Sequence, residues 1–199
     1  MTATIEKTRF RYTGALTALA TDERASLIQR RSATSSAVRE RTAEIVRRVR
    51  VEGDRALREM AATFDGVSLE SIEVPRAVRR TALERIDAGL RSALSRAARN
   101  IERFHSADPP RTIEIETEPG VLVGRRPDPL RRVGIYSPGG RAAYASSVLM
   151  AAVPARVAGV SEIVLCSPPQ SDGLPAPIVL AACELGGVDR VFAVGGAGA

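Results

Sequence analysis

Residues able to bind or transform a small molecule concentrate in one short stretch. Val133-Gly-Ile-Tyr-Ser-Pro-Gly-Gly140 reads as a short apolar strand running into a Pro-Gly-Gly turn, with a helix start after it. Glycines lack the Cβ that would hold backbone N–H groups away from a ligand, and a helix N-terminus adds partial positive charge that favours phosphate or carboxylate. The chemistry indicated is nucleotide or anion binding. A second glycine turn, Gly195-Gly-Ala-Gly198, follows a later apolar strand. Either turn alone is a weak signal, because glycine pairs end strands for steric reasons. Their joint placement at the C-terminal ends of two strands of one parallel sheet is stronger, since ligands of open α/β sheets bind at that edge. Tyr136 stands at the mouth of the first strand, where its ring can stack on a ligand or simply pack at the strand end. Spacing alone leaves both readings open.

The remaining catalytic inventory is sparse. The 199 residues contain one histidine, His105, near the end of a helical stripe, where exposure or a polar contact at the helix end is expected rather than catalysis. No Cys/His set has metal-ligand spacing, and neither a Gly-x-Ser-x-Gly elbow nor a Gly-Lys-Ser/Thr phosphate loop is present. A self-contained hydrolase or kinase is therefore not expected. Cys166 and Cys183 lie in apolar segments and read as buried free thiols of a reducing compartment. The formal charge of +6 is almost wholly arginine, with Lys7 the only lysine. The arginines alternate with glutamates along helical faces without aromatic interleaving, which is the pattern of a solvated surface rather than a nucleic-acid binder. The N-terminus has no long apolar run, so the expectation is a cytoplasmic protein with no membrane segment.

The elements that must position the glycine turns come in two kinds. Up to Asp108-Pro109-Pro110 the apolar period is helical. Thr34 to Arg50 places Val38, Ile45, Val46 and Val49 on one side. Asp54 to Phe64 turns Ala56, Leu57, Met60, Ala61 and Phe64 inward, and Asp65-Gly66 reads as a turn signal. A brief extended piece at Ser71 to Val74 precedes a helix from Pro75 to about Ile86. Asp87 then caps a helix whose stripe is Leu90, Leu94, Ala97, Ala98, Ile101 and Phe104.

Beyond the prolines the period falls to two. Thr112 to Thr117 alternates like a half-exposed strand, Pro119-Gly120 turns, and Val121 to Val123 returns as a hairpin. Strand Val133 to Tyr136, helix Ser146 to Ala158, strand Glu162 to Cys166, helix Ala176 to Leu185 and strand Arg190 to Val194 follow in βαβαβ order, which predicts a parallel sheet. The short, nearly continuous apolar strands read as buried parallel strands. Pro154 predicts a kink in its helix, and the loop Ser167 to Pro177 is placed to line a crevice at the sheet edge. The fold class expected is α/β: an N-terminal helical segment, a hairpin, and an incomplete Rossmann-like sheet. With aromatics at 4% and no Trp, its core is built from Ala, Val, Leu and Ile.

The residues also carry a resemblance. Val133 to Gly140, Ser146-Ser-Val-Leu-Met150, Val153-Pro-Ala-Arg156, Cys166-Ser-Pro-Pro169, Gly187-Val-Asp189 and Val194-Gly-Gly-Ala197 resemble the histidinol dehydrogenase family, as do Gly53-Asp-Arg-Ala-Leu57 and Phe64-Asp-Gly-Val67 upstream. The resemblance implies an NAD-dependent, zinc-requiring homodimer that oxidises L-histidinol through L-histidinaldehyde to L-histidine by two hydride transfers. It implies that Tyr136 contacts NAD and that Pro138, Gly139 and Gly140 lie beside the cofactor. Gly198 falls where the family commonly places a glutamine as a second cofactor contact. Family chains are more than twice as long, with their zinc ligands, acid/base glutamate-histidine pair and substrate-holding residues beyond the position of Ala199.

The expectation is thus an N-terminal portion with neither catalytic nor metal-ligating residues of its own, inactive by itself. Residues 1–130 would contribute to the first family domain and residues 131–199 to a truncated Rossmann-like NAD-side domain. A strand edge and apolar faces would lie open, giving poor solubility. The alternative is the N-terminal half of a split enzyme, or a remnant nucleotide-binding module, that needs a separate C-terminal partner.

Overall fold

A computed structural model describes residues 14–28, 36–139 and 143–199. The chain divides into two units, residues 1–41 and 42–199. In the first, a single 3-10 turn (Leu16–Ala18) precedes helix α1 (Thr21–Ile28), whose N-terminus is held by Glu23 accepting the Ala20 N–H at 3.2 Å. Helix α2 (Ser36–Glu52) crosses the division.

The second unit continues with α3 (Asp54–Met60), a π turn (Ala61–Asp65), α4 (Arg76–Arg85) and α5 (Ala88–Ala107). Asp87 caps α5 as expected, accepting the Leu90 N–H at 3.0 Å. A two-stranded antiparallel hairpin, β1 (Ile113–Glu118) and β2 (Val121–Arg125), follows. Then come β3 (Arg132–Tyr136), α6 (Ala145–Val157), β4 (Glu162–Ser167), α7 (Pro177–Gly186) and β5 (Arg190–Ala193), and a 3-10 turn at Gly196–Gly198. The three strands form a parallel sheet in the order β3-β4-β5, with Tyr136 paired to Cys166 and Cys166 to Phe192. The α/β class and the βαβαβ order are those read from the residues.

Helices α6 and α7 pack on one another, α5 lies against α6, and α4 against α7. Their shared core is aliphatic: Leu149, Ile163, Leu165, Leu180, Val148, Val153 and Val191 are fully buried. Each such side chain contributes about 1.5–3 kcal/mol through removal from water. The Ser71 to Val74 piece closes the outer edge of β5, since the Val74 N–H donates to Val191 O at 2.8 Å and the Ala193 N–H to Ile72 O at 2.7 Å. Arg79 ties α4 to the same edge. Only 2% exposed, its guanidinium donates to Val188 O at 2.6 Å and Asp189 O at 3.1 Å.

Several expectations require correction. The sheet strands are only partly buried, and β3 has no buried position. β4 alternates half-buried and buried positions, with Ile163, Leu165 and Ser167 on the buried side, and α6 packs against β3 and β4. The hairpin was expected to bury alternate residues, but every position of β1 and β2 is exposed, so the alternation has no covering layer among the described residues. Helix α2 buries none of its residues, and Val38 and Val46 are exposed. Phe64 was expected to face inward with Met60 and Ala61. The π turn widens the backbone there, the Val67 N–H reaches back to Ala61 O at 3.2 Å, and Phe64 swings to 55% exposure. Phe104 ends the α5 stripe 77% exposed, overhanging the core and forming an edge-on contact with His105 at 5.3 Å. Pro154 sits in the last turn of α6, which runs through it to Val157 and closes with the Ala158 N–H on Pro154 O at 2.8 Å. Among the described residues, no helix is long and apolar enough to cross a membrane.

Candidate cofactor-binding site

Strand β3 delivers Tyr136 to the C-terminal edge of the sheet, and the pairing continues one residue further, with the Ser137 N–H donating to Cys166 O at 2.9 Å. Ser137 is fully buried there, and its Oγ has no hydrogen-bond partner among the described residues. The chain then leaves the sheet through Pro138 and Gly139. On the neighbouring strand, β4 leaves through Ser167 and Pro168, and on the third, β5 leaves through Val194 and Gly195.

Pro168 fills the space between the two glycine turns. A Cβ on Gly139 would fall closer than 3.0 Å to Pro168 Cγ, and one on Gly195 would lie 2.6 Å from Pro168 Cβ. No side chain fits at either position without movement, so both glycines are explained by close approach to one proline ring. Above that wedge the Gly196 N–H donates to Tyr136 Oη at 3.1 Å. The tyrosine thus spans the end of the middle strand and joins the turn after β5.

These residues wall an open cleft of about 820 Å³, into which Asp65, Pro138, Ala143, Gln170 and Ser171 also face. That volume lies within the range of about 300–1,000 Å³ typical of small-molecule sites. Tyr136 is 46% exposed and presents its ring at the mouth. Ala143 lies two residues before the start of α6, so a helix N-terminus opens beside the cleft. The loop after β4 holds its own shape, with the Gln170 N–H on Leu174 O at 2.8 Å and the Gly173 N–H on Gln170 O at 2.9 Å.

Of the residues singled out from the sequence, the fold brings Tyr136, Pro138 and Gly139 together on this wall. Gly140 lies outside the described residues. Gly198 does not line the cleft: its Cα faces α3, where a Cβ would lie 3.2 Å from Leu57 Cδ2 and 3.5 Å from Met60 Sδ. Two residues were missed. From the sequence, Pro168 stands out only within the strand-to-helix loop and the family-like segment Cys166-Ser-Pro-Pro169, and Asp65 only as a turn former within Phe64-Asp-Gly-Val67, neither as a site residue. Neither carries a local signal of its place, since both are brought in by long-range packing.

The thiols behave differently from the cleft residues. Cys183 is fully buried, and burial pushes its thiol up to about 12. Cys166 is half-buried and its thiol is also raised by burial, so neither is a thiolate near neutral pH. Among the described residues, no group of three or more His, Cys, Asp or Glu side chains could hold a metal ion. The cleft combines glycine turns with a neighbouring helix N-terminus, and the described residues offer no ligand set for zinc.

Comparison with known proteins agrees with this geometry. Residues 28–199 match the family described as histidinol dehydrogenase. Histidinol dehydrogenase of Methanosarcina mazei is 47% identical over 149 residues, covering 74% of this chain and 34% of the relative. That of Oceanobacillus iheyensis is 43% identical over 174 residues, covering 85% of this chain and 41% of the relative. The crystal structure of histidinol dehydrogenase from Elizabethkingia anophelis superposes with a TM-score of 0.79 at 32% identity, covering 90% of this chain and 42% of that one. The chain therefore spans well under half the length of the relatives it matches. With its last strand, both glycine turns and the Pro168 loop all inside the matched residues, the chain belongs to the histidinol dehydrogenase family.

Proposed function

We propose that these residues form the NAD-side wall of a cytoplasmic histidinol dehydrogenase, a homodimer that oxidises L-histidinol to L-histidine. The observation that carries this is the hydrogen bond from the Gly196 N–H to Tyr136 Oη across Pro168, which joins both glycine turns into one cleft at the C-terminal sheet edge. When bound, NAD supplies the hydride acceptor for each of the two oxidation steps. Tyr136 orients it at the mouth, and the turn of Pro138, Gly139 and Gly140 is the segment beside it. Gly198, without a side chain, adds at most a backbone contact.

Zinc and the proton-transferring groups come from outside these residues, so the 199-residue chain binds cofactor without oxidising histidinol. Residues 1–130 belong with the first family domain and residues 131–199 with the NAD-side domain. Calorimetric titration of the chain with NAD should give binding that Tyr136→Ala abolishes, and equal heats from both proteins would remove Tyr136 from the site. Turnover of histidinol by this chain with NAD and zinc alone would refute the division of labour.

A second reading has an observation in its favour. The outer edge of β3 carries no paired strand among the described residues. In this reading a separately encoded C-terminal half pairs there and completes the enzyme. The DNA downstream of the Ala199 codon distinguishes the two: a continuous or frameshifted reading frame rich in His and Glu supports one polypeptide, and a separate start codon supports the split form.

A further inference from the structure

The usual acid of a dinucleotide site is missing from its usual place. In Rossmann-type units a carboxylate at the end of the second strand receives the ribose hydroxyls of the adenosine end. Here that strand, β4, ends at Cys166 and a buried Ser167, and Pro168, Pro169, Gln170 and Ser171 follow. The next acid, Asp172, is engaged by its own loop, accepting the Leu174 N–H at 3.0 Å, and lines a different cavity beside Pro175.

Asp65 reaches the cleft from the turn after α3 instead, and it is the only acidic residue among the described residues that line it. It ends the π turn, and the chain after it is anchored by the buried Val67 and Leu69. Gly173 sits directly on that anchor, where a Cβ would lie 3.2 Å from Leu69 Cδ2, so the loop carrying Gln170 and Ser171 and the turn carrying Asp65 are fixed to each other. The Asp65 carboxylate has no hydrogen bond or ion pair among the described residues. Partial burial raises its pKa above the ordinary aspartate value.

We propose that Asp65 is the specificity-determining residue of this cleft, accepting hydrogen bonds from the adenosine ribose hydroxyls of NAD and turning away the 2′-phosphorylated dinucleotide. A carboxylate has lone pairs for both hydroxyls of a vicinal diol, and charged acceptors make the stronger hydrogen bonds. A 2′-phosphate would instead set like charges against each other in a partly desolvated wall. This inference rests on the reading of the cleft as an NAD site.

The test is titration of the full 199-residue chain and its Asp65→Asn variant with NAD and NADP, with Tyr136→Ala alongside. The wild-type chain should prefer NAD by about tenfold or more, the equivalent of one charged hydrogen bond. Asp65→Asn, isosteric and at an exposed position, should keep the wild-type unfolding curve, weaken NAD, and bring the two affinities within about threefold. An unchanged NAD/NADP ratio in Asp65→Asn, with NAD binding still lost in Tyr136→Ala, overturns the role of Asp65 and leaves the cleft as the NAD site. No NAD binding by the wild-type chain overturns both.

Discussion

The Tyr136 hydroxyl accepts the Gly196 N–H at 3.1 Å, reaching from the end of one outer strand of the parallel sheet to the turn that follows the other. The middle strand ends beneath this bond in Pro168, against which Gly139 and Gly195 both close. Tyr136→Phe keeps the ring and removes only the acceptor. Unfolding in urea should show a loss of about 0.5–1.5 kcal/mol, the ordinary net worth of one hydrogen bond. NAD should bind more weakly as the Gly196 turn loosens. Unchanged stability together with unchanged affinity would mean that the bond organises nothing.

Pro168 makes a sharper test, because its two glycine neighbours meet different atoms. Gly139 faces Cγ, which Pro168→Ala removes, while Gly195 faces Cβ, which Pro168→Ala keeps. Gly139→Ala and Gly195→Ala should each destabilise by about 1–3 kcal/mol through overpacking. Combined with Pro168→Ala, the Gly139→Ala penalty should largely vanish and the Gly195→Ala penalty should persist. Thermal melts of the three single and two double variants, read as double-mutant cycles, carry the comparison. Equal relief of both would place the clash somewhere other than the ring atoms.

How much of this was legible in the residues follows from what a local pattern encodes. The change of period after Asp108-Pro109-Pro110, the Asp87 cap and the βαβαβ order are set by neighbours in sequence, and the structure has them. A stripe or an alternation says that one face is apolar, but it does not say what covers that face. Hence α2 carries the pattern of burial while Val38 and Val46 stand exposed and Ile45 and Val49 are only half-buried, and every position of the hairpin strands is exposed. The π turn at Ala61–Asp65 depends on backbone hydrogen bonding rather than composition, and it redirects Phe64 outward and brings Asp65 to the cleft. Pro168 is the clearest case. A Pro-Pro pair after a strand reads as a loop from any window around it, and only the meeting of three strand ends makes it the wedge on which both glycine turns rest.

Arg79 supports the sheet edge from within. Its buried guanidinium bonds two consecutive carbonyls, Val188 O and Asp189 O, at the entry to β5. Arg79→Ala leaves those acceptors short of a donor and opens a void, so stability should fall by at least about 1–3 kcal/mol. Arg79→Met retains the packing of the stem and should recover part of that loss. Arg79→Lys should resemble Met more than wild type, because one ammonium cannot reproduce a planar fork across two carbonyls. Full recovery by lysine in urea melts would show that charge, rather than the paired geometry, is what matters there.

The same edge makes stability depend on acid. Glu73 accepts from Arg190 at 2.9 and 2.7 Å beside its backbone bridge to Phe192, and the Arg190 guanidinium lies 4.9 Å from the centre of the Phe192 ring. The hydrogen bonds from Arg190 hold the Glu73 carboxyl below its ordinary value, outweighing the opposing effect of its slight burial. A carboxyl whose pKa is lower in the folded chain adds stability that is fully present above its unfolded value, about 4.3. That stability disappears as pH falls through the lower, folded value. The pair is solvent-exposed, so screening keeps the effect small. Wild type should therefore be modestly more stable than Glu73→Gln at pH 7, and the two should converge below the carboxylate range. Added salt at neutral pH should shrink the gap in the same direction. A gap that persists at pH 2 would assign the stabilisation to side-chain packing along β5 rather than to the ion pair.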